Sequence, residues 1–275
     1  MTRRLSRRPR IVLKFGGELL ENPADLAAMA RGITALARRA ALVVVHGGGK
    51  EIDTALATAG IAKRQVDGLR ITNAATLDVV VSVLAGAINT RLVAAVRRAG
   101  GRAVGLTGAD AAVATVKRAA PIVSVAGKRV DLGLVGTPVD DGSPDLVVDL
   151  LADGYVPVIA CIGATRTGQL LNVNADTLAA HLATAIGATR LVIAGGTPGV
   201  LDTDGATIAQ LSARDASRLI RQGTANKGMV AKLHACRSAV QNGVGDVIIG
   251  NGRRLRFETL ATRRPALDGC TQVVR

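Results

Sequence analysis

Three short apolar runs, Ile11–Phe15, Ala41–Val45 and Ala103–Leu106, run into glycine-bearing turns: Gly16-Gly17, Gly47-Gly48-Gly49 and Gly108. Segments of helical period separate them. Leu26, Met29, Ile33 and Leu36 make one apolar stripe; Leu77, Val81, Leu84, Ile88 and Leu92 make another. A strand that is apolar on both faces must be covered on both faces. Alternating with helices, such strands predict a mostly parallel sheet sandwiched between helical layers. Ligands of such sheets sit at the carboxyl ends of the strands, where these glycines fall.

The remaining chain fits the same alternation. Asn22 reads as an N-cap with Pro23 just inside its helix. Leu146–Leu151, Asp176–Ile186, Ala213–Arg221 and Met229–Val240 read as helices, and Val156–Cys161, Arg190–Ala194 and Asp246–Ile249 as strands. Residues 111–143 change character: Pro121–Val125, Lys128–Leu132 and Val135–Val139 look like antiparallel strands joined by glycine turns.

With 275 residues, the chain can build one large α/β domain or two fused lobes. It has no Trp, one Tyr and two Phe, so Val, Leu, Ile and Ala must fill the core. The formal charge of +14 raises the question of nucleic acid, and Met1–Arg10 carries Arg3, Arg4, Arg7, Arg8 and Arg10. Aromatic stacking platforms are nearly absent, so no nucleic-acid partner is expected. Cys161, Cys236 and Cys270 are widely spaced, which suggests neither disulfides nor zinc and suits a reducing cytosol. No run reaches membrane-spanning length, so no membrane association is expected.

Several residues could do chemistry. Glycine turns at strand ends can present successive N–H groups to an anion, although one alone would be an ordinary strand–helix turn. Lys14 interrupts the first apolar strand, so its ammonium needs water or an anion. A Lys on an exposed strand edge is the bland alternative. Lys232 borders an apolar helical stripe and by itself reads as a snorkelling side chain. Asn174 or Asp176 suits a helix start; a functional role would require Asn172, Asn174 and Asp176 to face one cavity. Arg70 could grip a carboxylate with two nitrogens or simply be solvated.

Seven motifs, in order, resemble those of acetylglutamate kinases, within the amino-acid kinase family. They are Lys14-Phe15-Gly16-Gly17, His46-Gly47-Gly48-Gly49, Gly68-Leu69-Arg70-Ile71-Thr72, Ala103–Gly108, Asp131–Gly136, Asn172–Asp176 and Gly228-Met229-Val230-Ala231-Lys232. The resemblance runs from about Ile11 to Val244. It implies a three-layer α/β/α sandwich in two lobes behind a basic tail (1–10). Residues 11–170 would bind the acyl amino acid and dimerise, and 171–275 would bind ATP. It also implies a cytoplasmic homodimer that transfers a phosphoryl group from MgATP to the γ-carboxylate of N-acetyl-L-glutamate in arginine biosynthesis. Lys14 and Lys232 would contact the moving phosphoryl group, Asp176 would organise them, and Gly16, Gly17, Gly48 and Gly49 would form the cradle. Arg70 and Asn172, with Gly48 and Gly49, would bind substrate. Lys14, Gly195, Gly196, Gly199, Lys227, Gly228, Met229 and Lys232 would line the nucleotide side. No all-protein metal site is implied, because Mg²⁺ can ride on nucleotide phosphates.

There are departures from the family. Gly195-Gly196 stands where relatives carry a Thr/Ser-Asp pair, Lys227 replaces a small residue, and Phe257–Arg275 matches poorly. Only ten residues precede the first strand, whereas arginine-inhibited hexamers carry a longer N-terminal helix; a dimer with little arginine feedback is therefore expected. Two alternatives stay open: a kinase of another N-acylated or carrier-bound glutamate or aminoadipate, and a non-catalytic regulatory or nucleic-acid-binding subunit.

Overall fold

The computed structural model describes residues 8–124, 126–221 and 227–275; the side chains of Arg221 and Lys227 lie outside that description. The chain begins with β1 (Arg10–Phe15), a 3-10 turn (Gly17–Leu19), α1 (Pro23–Ala37), β2 (Ala41–His46) and α2 (Gly49–Thr58). A small hairpin follows, β3 (Gln65–Val66) and β4 (Leu69–Arg70). Next comes a long helical stretch of α3 (Ala74–Val81), a π-helical segment (Ser82–Ile88) and α4 (Asn89–Arg98). β5 (Ala103–Thr107), β6 (Val116–Arg118), β7 (Ile122–Val123), β8 (Arg129–Val130) and β9 (Val135–Pro138) lead to α5 (Asp145–Ala152). Then come β10 (Val156–Ala160), β11 (Ile162–Ala164), β12 (Leu170–Val173), α6 (Ala175–Ala185) and β13 (Arg190–Gly195). The chain finishes with β14 (Gln210–Ser212), α7 (Ala213–Arg221), α8 (Lys227–Gln241), β15 (Asp246–Asn251), a 3-10 turn (Phe257–Thr259) and β16 (Thr271–Val274).

Eight strands form one sheet in the order β14-β16-β15-β13-β1-β2-β10-β5. The six from β15 to β5 are parallel; β16 runs antiparallel to β15 and carries β14 parallel to itself. Ile11, Val12, Leu13 and Phe15 are each fully buried, so both faces of β1 are covered, as the unbroken apolar run predicts. α6 packs on β1, β2 and β13, while α4 packs on β5 and β10. Asn22 does cap α1, its side chain accepting from the N–H groups of Ala24 (2.8 Å) and Asp25 (3.4 Å), with Pro23 at the first position.

Two parts differ from the sequence reading. The stretch after β5 does turn antiparallel, but in two separate pieces. β7 pairs with β8 alone, while β9 joins a second sheet, β11-β12-β9-β6, antiparallel to β6 and parallel to β12. Val125, the end of one expected strand, lies outside the described residues. Ala74–Arg98 also reaches membrane-spanning length, at 25 residues with a hydropathy of 1.9 in its most apolar window. It is a core helix: Leu84, Ile88, Leu92 and Val96 are buried, and the segment carries Asn89, Arg91, Arg97 and Arg98.

Candidate active site

The strand order reverses at β1, which lies between β13 and β2, so a crevice opens at the carboxyl ends of these three strands. Lys14 stands one residue from that end, in register with Val45 on β2 and Ile193 on β13. It is 5% exposed. Its Nζ meets Asp176 Oδ1 at 2.7 Å, and Lys232 Nζ on α8 lies 3.5 Å from Oδ2 of the same carboxylate. Residues 14, 176 and 232 thus converge on one buried point. Burial alone would lower the Lys14 pKa; attraction to Asp176, and then to Glu18, overcomes it, and the net shift is upward. Burial likewise works to raise the Asp176 pKa, but Lys14 and Lys232 hold it below the ordinary carboxylate range. At neutral pH the buried Lys14–Asp176 pair is therefore an ammonium group and a carboxylate.

Asp176 lies in the first turn of α6, where the helix dipole also favours a negative charge. The turn is fixed by Asn174, whose side chain accepts the Thr177 N–H at 3.0 Å and its hydroxyl at 3.3 Å. Asn174 is spent on that cap, so it does not join Asn172 and Asp176 in a cavity.

The two glycine turns meet backbone to backbone. A Cβ added to Gly17 would lie 2.7 Å from the Gly48 Cα, and one on Gly48 would overlap Ile88 of the π-helical segment. Gly16 is not a free donor, because its N–H goes to Ala194 O at 2.9 Å; Gly47 N–H goes to Phe15 O at 3.1 Å. The N–H groups of Gly17, Gly48 and Gly49 find no acceptor among the described residues. They are available to an anion, with the start of α2 behind them.

Before these glycines sits His46, fully buried and kept neutral: burial pushes its pKa down to about 4. Asn89 Nδ2 lies 3.1 Å from His46 Nε2 and donates to Val158 O at 2.9 Å. Nε2 therefore accepts, and Nδ1 carries the proton that faces Gly47 O at 3.3 Å. This pair anchors the turn.

Arg70 follows a tight hairpin turn in which Asp67 (φ 47°) and Gly68 (φ 81°) both adopt left-handed backbone. Asp-Gly suits that two-residue turn. Arg70 Nη2 reaches Asp53 Oδ1 at 2.5 Å and Gly49 O at 3.3 Å, while buried Nη1 has no partner. A guanidinium with one edge pinned and the other unpaired is prepared for a carboxylate. Beside it, Thr72 N–H donates to Leu132 O (2.9 Å), Leu134 N–H to Thr72 O (2.7 Å) and Asn172 Nδ2 to Thr72 Oγ1 (3.3 Å). Gly133 (φ 75°) permits this approach, since a Cβ would overlap Thr72 O. Three motifs distant in sequence are knitted together here.

On the other side, Gly195 ends β13, and Gly196 N–H donates to Glu18 Oε1 at 2.9 Å. Asn251 Nδ2 donates to Gly196 O at 2.9 Å. Gly199 is needed for packing, since its Cβ would come 2.5 Å from Thr271 Oγ1. Gly228 is exposed and Met229 buried in the first turn of α8; the Lys227 side chain lies outside the description. Glu18, Asp53, Asn89 and Asn251 were not singled out from sequence. The Asp67-Gly68 dipeptide signals the hairpin that aims Arg70, but nothing local signals the partners of these four.

A sequence model of the amino acid kinase family matches residues 9–251. An acetylglutamate kinase of Rhodopseudomonas palustris (strain BisB5) is 42% identical over 248 residues, covering 88% of this chain and 83% of its own. One from Bradyrhizobium diazoefficiens is 40% identical, covering 88% and 84%. Among solved structures, smu.665 from Streptococcus mutans UA159 superposes with a TM-score of 0.74 at 25% identity, covering 88% of this chain and 94% of its own.

Proposed function

The chain belongs to the amino acid kinase family, and from this membership we propose that it phosphorylates the γ-carboxylate of N-acetyl-L-glutamate with ATP, a step of arginine biosynthesis. The observation that carries the reading is the meeting of Lys14 and Lys232 at Asp176, at the strand ends that bear the unpaired N–H groups of Gly17, Gly48 and Gly49. A carboxylate is a nucleophile at neutral pH, so no general base is required. Phosphoryl transfer then depends on alignment and on stabilising charge at the phosphoryl oxygens. Lys14 and the glycine N–H groups do this from the strand side, and Lys232 does it from α8. Asp176 keeps Lys14 charged and holds both ammonium groups close despite their mutual repulsion.

Arg70 Nη1 takes the substrate α-carboxylate, with Asn172 held to the nearby Thr72. Among the described residues no three His, Cys, Asp or Glu side chains gather to hold a metal ion. Mg²⁺ would be carried by the nucleotide phosphates, where it would neutralise charge. Residues 11–170 supply the acyl amino-acid side and 171–275 the nucleotide side. Residues 11–170 would also carry the contact of a homodimer, as the resemblance to acetylglutamate kinases implies. Sedimentation at twice the chain mass checks this; a monomer or a hexamer refutes it. An ATP-consuming enzyme with three free, buried cysteines suits the cytoplasm.

Measuring ADP release with N-acetylglutamate, N-succinylglutamate and an N-acylated aminoadipate tests the substrate. The first should turn over fastest. No turnover with any of them would overturn the kinase reading, and a clear preference for another acyl group would reassign the substrate.

A further inference from the structure

Glu18 lies on the first glycine turn, yet its carboxylate reaches across the crevice to the turn after β13, 178 positions away in sequence. There Oε1 accepts the Gly196 N–H at 2.9 Å. The same carboxylate lies so close to Gly16 that a Cβ at that residue would overlap it. A Cβ at Gly195 would stand 3.4 Å from Glu18 Oε1 and 3.8 Å from Lys232 Cε, so the carboxylate and the lysine flank one small space. Lys14 is also electrostatically attracted to Glu18. The absence of side chains at Gly195 and Gly196 leaves the room that Glu18 uses.

Charge explains the arrangement. Lys14, Lys232 and Asp176 together leave one positive charge at the head of the crevice. Glu18 neutralises it. ATP phosphates need the same lysines and bring several negative charges, which cannot share the space with a carboxylate at low cost. Glu18 is only half-buried, on a short 3-10 turn, so its side chain can leave without disturbing the sheet.

We propose that Glu18 is a displaceable latch: its carboxylate lies at the nucleotide side of the crevice, bridges the two glycine turns, and is expelled when nucleotide enters. This rests on the kinase reading above. Each nucleotide that binds must first break the Glu18–Gly196 bridge, so the charge at position 18 sets nucleotide affinity.

The test is calorimetric titration of the full-length protein with ATP in EDTA, without acyl substrate, comparing wild type with Glu18→Gln. Glutamine keeps the length and an oxygen for the Gly196 N–H but removes the charge. Metal-free ATP should bind the variant about tenfold more tightly, and the gain should shrink as salt is raised. Equal or weaker binding overturns the latch. A variant that loses affinity only when Mg²⁺ is present would mark Glu18 as a metal ligand and overturn it as well. Failure of the wild type to bind ATP at all would remove the kinase reading with it. Binding by the wild type without tightening in the variant removes the latch alone.

Discussion

Lys14→Ala should lower kcat by about a thousandfold, because one preorganised donor aimed at developing charge is worth roughly that in a water-excluded site. The position explains the size of the effect. Lys14 is 5% exposed on the central strand, and its ammonium is fixed at 2.7 Å from Asp176. Water admitted by the truncation could neither carry the charge nor hold the geometry. Lys14→Arg should not rescue activity, since a planar guanidinium on a longer stem cannot occupy a slot closed by β2 and β13. Lys232→Ala should lose less, of the order of a hundredfold. Its side chain is 20% exposed and stands farther from the shared carboxylate, at 3.5 Å, so solvent can replace part of its field. Steady-state ADP release, with a thermal melt to verify folding, measures both. An alanine variant at position 14 within threefold of wild type would remove Lys14 from the reaction.

The two lysines show what sequence could and could not reveal. Lys14 was conspicuous because a charge inside an apolar run has few places to go, and the strand placed it beside glycines. Lys232 was not conspicuous: a lysine at the border of a helical stripe is ordinary, and only the resemblance to a family singled it out. The sheet was legible because parallel strands buried on both faces leave a continuous apolar signature. Its antiparallel edge, β16 with β14, was not, since four and three residues with mixed burial resemble a loop. The π-helical segment was also hidden, as Leu84 and Ile88 keep a helical spacing; both side chains lie where a Cβ at Gly48 would go. Glu18, Asp53 and Asn89 gain their roles from partners 178, 17 and 43 positions away, and such pairings exist only once the fold has formed.

Asp176→Ala should abolish detectable turnover and destabilise the protein by about 3–5 kcal/mol, the usual cost of removing one partner from a buried ion pair. The carboxylate is 5% exposed at its side chain and serves two ammonium groups, so its loss leaves Lys14 charged and unpaired inside the sheet. The sign of the pH dependence follows. In the wild type the depressed Asp176 pKa stabilises the fold above the unfolded carboxylate value near 4; this is lost only as pH falls through the lower folded value. The raised Lys14 pKa stabilises below the unfolded lysine value near 10.4; this is lost only as pH rises through the higher folded value. Between those limits the triad gives the wild type a flat profile. In the variant, burial outweighs the remaining attraction to Glu18 and the Lys14 pKa falls, so the unfolded chain holds the proton more tightly and stability climbs with alkaline pH. Urea midpoints at pH 7 and pH 9.5 should therefore show the deficit narrowing at the higher pH. Adding Lys14→Met to Asp176→Ala removes the stranded charge, and should recover much of the stability at pH 7 without recovering turnover. A deficit independent of pH, or a double variant no more stable than Asp176→Ala, would mean that the carboxylate supports packing rather than charge.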